Sequence, residues 1–194
     1  MEDMKNTVTD SIQDSIKVKE SMLASPFLLT VIDDICREVV NTLKGGGKVL
    51  FCGNGGSAAD AQHIAAELSG RFYHDRDPLF AEALHVNTSY LTAVANDYSF
   101  EEVYSRLVKA KGREGDVLFG ISTSGNSPNI IKAIETAKEL GMITVGMTGE
   151  SGGALLNLCQ YLIKVPSSDT PRIQEAHILL GHIICEVTEK EMFE

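Results

Sequence analysis

Three stretches of this 194-residue chain hold side chains whose types and spacing suit chemistry. In "QHIAAEL", His63 and Glu67 stand four residues apart, one helical turn, so an imidazole and a carboxylate share a face. Such a pair can pass a proton or hold a cation, although on a bare helix it is also an ordinary surface contact. In "RIQEAHILLGHIICE", Gln174, His177 and His182 follow one another along an apolar helix. Gln174 and His182 would be separated by about 12 Å of rise and about 80° of rotation in an ideal helix. His177 is the nearer partner, and a histidine among Leu and Ile serves equally well as a hydrogen-bonded core residue; spacing does not choose between His177 and His182. In "GISTSGNSP", Ser122, Thr123, Ser124 and Ser127 place four hydroxyls within eight residues, just before a helix. Free N–H groups and the dipole at a helix N-terminus favour an anion, a phosphate first of all; a turn that only caps the helix accounts for the hydroxyls too.

The elements that must position these residues alternate between strand and helix. "KVLFC", "DVLFGI", "MITVGMTG" and "QYLIKVP" read as buried strands, with "EALHVN" as a short edge strand. "SYLTAVAND" and "FEEVYSRLVKAK" read as helices, and Ser127-Pro128 marks a helix start as N-cap and first helical residue. The helix carrying His63 and Glu67 opens at "CGNGGSAAD" and ends near Gly70, so both side chains belong to the loop end of the sheet. That loop fits G-x-G-x-x-A through Gly53, Gly55 and Ala58, yet no strand ending in an acid follows at the distance a dinucleotide site needs, and no G-K-[ST] makes it a P-loop. Asn54, Gly55 and Gly56 are better read as backbone N–H groups and one amide brought close to a small ligand. Ahead of this pattern, Val8, Ile12, Ile16, Met22 and Leu23 form one apolar stripe, and Leu28, Val31, Ile32, Ile35, Val39 and Leu43 form a second. Two amphipathic helices over the first 45 residues need a surface to cover, which predicts oligomerisation. The alternation predicts one domain built on a parallel sheet with helices on both faces and ligands at the strands' carboxyl ends.

Composition narrows the function. With 43% hydrophobic residues the chain buries a proper core. A formal charge of -10 without a Lys/Arg cluster argues against nucleic acid and anionic membranes as partners. No apolar run reaches a membrane span and the N-terminus lacks a signal peptide's regions, so a cytoplasmic protein is expected. Cys36, Cys52, Cys159 and Cys185 have no CxxC spacing and read as reduced, apolar residues.

"CGNGGSAADAQHIAAELSGRF", "TAVANDYSFEEVYSRLV", "GISTSGNSPNIIKAIETAKELGM" and "RIQEAHILLGHIICE", in this order, resemble the phosphoheptose isomerases of the sugar isomerase (SIS) domain family over nearly the whole chain. The resemblance implies a flavodoxin-like three-layer α/β sandwich around a parallel sheet: residues 1–194 as one SIS domain, with the helical pair 1–45 used in oligomerisation. It implies a cytoplasmic homotetramer, with active sites near subunit interfaces, that converts D-sedoheptulose 7-phosphate to D-glycero-D-manno-heptose 7-phosphate for the activated heptoses of lipopolysaccharide or capsule. By motif, substrate contacts fall on Asn54, Gly55, Gly56, Glu67, Asn96, Asp97, Ser122, Thr123, Ser124, Ser127 and Gln174. One Zn²⁺ per subunit falls to His63, Glu67, Gln174 and His182, and the acid/base pair to Glu67 and His182, which favours His182 over His177. Such an isomerisation passes through an enediol, needing a base for a carbon-bound proton and a group that steadies the oxyanion. A non-catalytic SIS module, either a sugar-phosphate sensor or a replication-initiator-associating protein, has no use for an acid/base pair; the presence of Glu67, His182, His63 and Gln174 favours the enzyme. The 12 Å between Gln174 and His182 further suggests that some of these side chains enter a neighbouring subunit's site.

Overall fold

A computed structural model describes residues 2–194. Met1, which the sequence reading includes in the single domain and in the leading helical pair, lies outside the described residues. Two helices come first, α1 (Glu2–Leu23) and α2 (Pro26–Lys44). Ser25 caps α2 by accepting the Leu28 N–H at 3.3 Å, and Pro26 follows it as the first helical residue, where no N–H is needed. Strands and helices then alternate: β1 (Val49–Gly53), α3 (Gly56–Ser69), β2 (Ala81–Ala83), α4 (Thr88–Asp97), α5 (Val103–Lys111), β3 (Val117–Ile121), α6 (Pro128–Glu139), β4 (Ile143–Thr148), β5 (Tyr161–Lys164) and α7 (Thr170–Phe193). The edge strand is shorter than "EALHVN" and shifted towards its start. Asn87 accepts the Tyr90 N–H at 3.0 Å as the N-cap of α4, so the chain turns before a longer strand can form.

All pairings are parallel and the strand order is β2-β1-β3-β4-β5, the flavodoxin order. Every residue of β1 and β3 is buried, as a sheet covered on both faces requires. Val49, Phe51, Val117 and Phe119 point to the face shared with α2, α3 and α7, while Leu50, Cys52 and Leu118 point to the face under α5 and α6. Phe51 and Phe119 sit in register and stack with ring centroids 4.9 Å apart. All four cysteines are free; Cys36, Cys52 and Cys185 are buried and Cys159 half-buried. Burial pushes the Cys36, Cys159 and Cys185 thiols up to about 12, so they are inert core residues. Among the described residues, no helix is long and apolar enough to cross a membrane.

In this strand order the chain reverses direction across the sheet between β1 and β3, and the crevice beyond their carboxyl ends is where a ligand fits. The glycine loop and the hydroxyl loop are the segments that leave those two strands.

Candidate active site

The two loops are tied together by a pair the sequence does not announce. Asn54 Nδ2 donates to Asn129 Oδ1 at 2.9 Å, and Asn129 Nδ2 returns a bond to Asn54 Oδ1 at 2.8 Å. The Asn54 amide is therefore not offered whole to a ligand; it fixes the spacing between the loops. Asn129 is only 2% exposed. Its one sequence signal is a polar residue in the first turn of α6, beside the buried Ile130.

Within the hydroxyl loop, Ser122 Oγ lies 3.0 Å from Ser127 Oγ and 3.5 Å from Ser124 Oγ. Ser127 does occupy the N-cap position of α6, but its hydroxyl makes no capping bond because it is turned towards Ser122. Pro128 has no N–H and the Ile130 and Ile131 N–H groups bond back to the Ser127 carbonyl at 3.0 Å, so the Asn129 N–H and the loop hydroxyls are the donors of this turn that an anion could take. Thr123 and Ser124, with Gly149, Ser167 and Thr170, line a cleft of about 200 Å³ beside the loop.

Helix α3 carries His63 and Glu67 away from the glycine loop, about 10 and 16 Å of rise from its start. Its last turn, which holds Glu67, meets the segment before β2, where the Leu79 N–H donates to the Leu68 carbonyl at 3.2 Å. The expectation that both side chains belong to the loop end of the sheet does not hold within one chain. His63 Nε2 lies 3.1 Å from Glu67 Oε1 and 3.4 Å from His182 Nε2, and the two imidazoles meet edge to face with centroids 5.0 Å apart. One ligand atom from each of His63, Glu67 and His182 lies within 4.8 Å of the others, a group able to hold a metal ion. Helices α3 and α7 meet at Gly181, next to His182. A Cβ there would sit 2.4 Å from Ile64 Cδ1, so a larger residue requires the tip of Ile64 or the helices themselves to move. The signal for it was present as a lone glycine inside an apolar helical run.

His177 goes elsewhere. Five residues before His182, it lies about 140° around the helix, fully buried, with Nε2 3.2 Å from the Thr148 carbonyl. Burial holds its imidazole down at about 4, partly offset by that backbone bond. Gln174 packs against Gly56, where a Cβ would lie 2.4 Å from its Nε2, so it stands at the opening of the glycine loop. Asn96 donates to Asp97 Oδ1 at 2.9 Å on the exposed end of α4, and among the described residues neither shares a hydrogen bond with the two loops. Asp60, one turn before His63, was not singled out from sequence; its Oδ2 is buried without a partner, and burial raises its carboxyl.

The loops offer neutral donors suited to an anion, and α3 with α7 offers a separate group of one carboxylate and two imidazoles. Sheet order, loops and cluster together define a sugar isomerase (SIS) domain, and the chain matches the SIS domain family over residues 22–149. It is 53% identical over 190 residues to a phosphoheptose isomerase of Aneurinibacillus thermoaerophilus, covering 98% of this chain and 96% of that one. Identity is also 53%, over 193 residues, to phosphoheptose isomerase 2 of Campylobacter jejuni, covering 100% and 96%. Among solved structures, a phosphoheptose isomerase from Neisseria gonorrhoeae superposes with a TM-score of 0.90 at 42% identity, over 96% of this chain and 99% of that one. One from Francisella tularensis gives 0.92 at 37% identity, over 96% and 98%. The chain belongs to the phosphoheptose isomerase family.

Proposed function

We propose that this protein is an aldose–ketose isomerase that converts D-sedoheptulose 7-phosphate to D-glycero-D-manno-heptose 7-phosphate through an enediol. The observation that carries the reading is the convergence of Glu67, His63 and His182, in a chain that also carries a neutral hydroxyl loop and is matched nearly end to end by phosphoheptose isomerases. A ketose becomes an aldose when a proton leaves C1 and one is returned at C2, while a proton shifts between the oxygens. Glu67 Oε1 faces His63, whereas Oε2 accepts no hydrogen bond among the described residues and is open to the carbon-bound proton. His182 serves the substrate oxygens as donor and relay. Ser122, Thr123, Ser124 and Ser127, with the α6 N-terminus, hold the remote phosphate. That group needs positioning rather than activation, so neutral donors suffice where phosphoryl transfer would need Lys, Arg or Mg²⁺.

His63, Glu67 and His182 would hold one Zn²⁺ per subunit, with Gln174 as the fourth donor that the resemblance implies. Imidazole and carboxylate donors without a thiolate suit an exchangeable catalytic ion, and when bound it polarises the substrate oxygen. Asn54, Gly55, Gly56, Asn96 and Asp97 complete the proposed substrate contacts. The protein works as a cytoplasmic homotetramer, joined in part through the helical pair at residues 1–45, and its product feeds activated heptoses for lipopolysaccharide or capsule. The test is to incubate the purified protein with sedoheptulose 7-phosphate and follow aldoheptose 7-phosphate by NMR, with and without a chelator. No product under either condition defeats the reading.

A further inference from the structure

The end of α3 is closed by a residue far outside it. No basic residue lies in the helix's last turn, and Gly70 stops it at φ -93°, not in the left-handed conformation that usually satisfies the last carbonyls. Arg76 returns from the following loop instead. Its Nη2 donates to the Glu67 carbonyl at 2.9 Å, and its Nη1 to the Leu68 carbonyl at 2.8 Å and the Gly70 carbonyl at 3.1 Å. Its Nε donates to Glu189 Oε1 on α7 at 2.9 Å. Glu189 also accepts the backbone N–H groups of Phe72, Tyr73 and His74, at 3.1, 2.7 and 3.0 Å. Both side chains are almost wholly buried, Arg76 at 3% exposure and Glu189 at 1%.

This network touches both proposed catalytic residues. It grips Glu67 by its own carbonyl. It fixes Phe72 by its N–H, and the Phe72 ring stands 5.7 Å, centroid to centroid, from the His182 imidazole. Glu189 lies seven residues after His182, about two turns along the same face of α7. A buried ion pair is a poor source of net stability, because desolvation offsets most of its Coulomb gain. What a guanidinium shared between a carboxylate and three carbonyls, and a carboxylate with four donors, supply is a fixed geometry.

We infer that Arg76 and Glu189 are a positioning pair for the isomerisation, clamping the end of α3 to α7 so that Glu67 and His182 hold their mutual distance. The inference rests on the proposed isomerase reading. Arg76→Gln and Glu189→Gln are expected to lower kcat by about tenfold to a hundredfold, the scale of an ångström-sized misplacement, with KM for sedoheptulose 7-phosphate within about twofold. The second readout is the His182 Hε1 resonance in ¹³C-histidine-labelled protein at fixed pH, which is expected to move as Phe72 shifts. Should Arg76→Gln fail to fold, Arg76→Lys is measured instead; it keeps the charge beside Glu189 and loses the fork onto the Glu67 and Leu68 carbonyls. A lysine variant with the kcat deficit of the glutamine variant supports the clamp. Folded variants with wild-type kcat and an unmoved His182 resonance overturn it, as does a deficit confined to thermal stability. If the wild-type protein itself fails to isomerise the sugar, the isomerase reading falls, and the His182 resonance still decides whether the clamp exists.

Discussion

Two histidines on one helix take opposite roles because they face opposite ways. His182 meets His63 and Glu67 between α3 and α7, whereas His177 is sealed in the core against Thr148. Glu67→Gln is therefore expected to lower kcat by about 10²- to 10⁴-fold and His182→Asn by a similar order, the usual worth of a positioned acid or base. Circular dichroism and melting should show both variants folded; a Glu67→Gln protein with normal turnover would remove Glu67 as the base. His177 instead contributes to acid stability. Its imidazole titrates at about 4 in the folded chain against 6.5 ordinarily. Between those values the unfolded chain binds a proton that the folded chain refuses, so stability rises with pH through this window and is lost as pH falls through it. The loss from this one group reaches about 3 kcal/mol by pH 4, at about 1.4 kcal/mol per pH unit. Urea unfolding of His177→Gln at several pH values should give a flatter dependence between pH 4 and 6.5 than the parent protein; an equal slope would assign the acid sensitivity to other groups.

At Gly181, helix α7 leaves room for the Ile64 side chain of α3. Gly181→Ala places a Cβ 2.4 Å from Ile64 Cδ1 and 2.6 Å from Cγ1, so about 1–3 kcal/mol of overpacking is expected, with lower kcat as His182 retreats from His63. Because the obstructing atoms belong to the tip of Ile64, Gly181→Ala/Ile64→Val should recover part of both losses, read as coupling in a double-mutant cycle. Helix α6 makes the opposite point. A capping serine normally contributes about 1 kcal/mol, but the Ser127 hydroxyl turns to Ser122. Ser127→Ala should thus change stability by no more than about 0.5 kcal/mol while raising KM several-fold; a full capping loss in thermal unfolding would refute that account of the hydroxyl. These cases mark what was legible in sequence. The apolar runs of β1, β3 and β4 and the start of α6 follow from period and punctuation, so the sheet and the two loops could be placed. His63 and Glu67 shared a face by spacing. The Asn54–Asn129 pair and the Arg76–Glu189 pair join residues 75 and 113 positions apart, and no local pattern encodes a contact made only after the sheet has folded. The choice between His177 and His182 needed the rotation of α7 about its axis, which apolar residues on most sides of that helix left open.

At the scale of the whole molecule, the sheet explains the site but not the first helix. Val8, Ile12 and Ile16 on α1 recur every four residues and are 60%, 57% and 50% exposed, with Leu23 and Phe27 at 75% where α1 turns into α2. A contiguous exposed apolar stripe of this kind marks an interaction surface, and the proposed tetramer gives it a partner in a second copy of the chain. His63, Glu67 and His182 converge within one chain, so assembly is not required to bring those three together. Asn96 and Asp97, exposed at the end of α4, share no hydrogen bond with the loops among the described residues. The proposed assembly would also reach α7 along another route. Arg172, two residues before Gln174, donates to the Ser11 carbonyl of α1 at 2.8 Å, so moving α1 disturbs the start of α7. Ile12→Glu/Ile16→Glu puts two charges into the stripe while leaving every buried residue in place. Light scattering coupled to size exclusion should show its mass falling below that of the wild-type assembly, and turnover should fall with it. A dissociated variant with full turnover would show that one chain holds a complete site; a variant that stays assembled would move the interface away from α1.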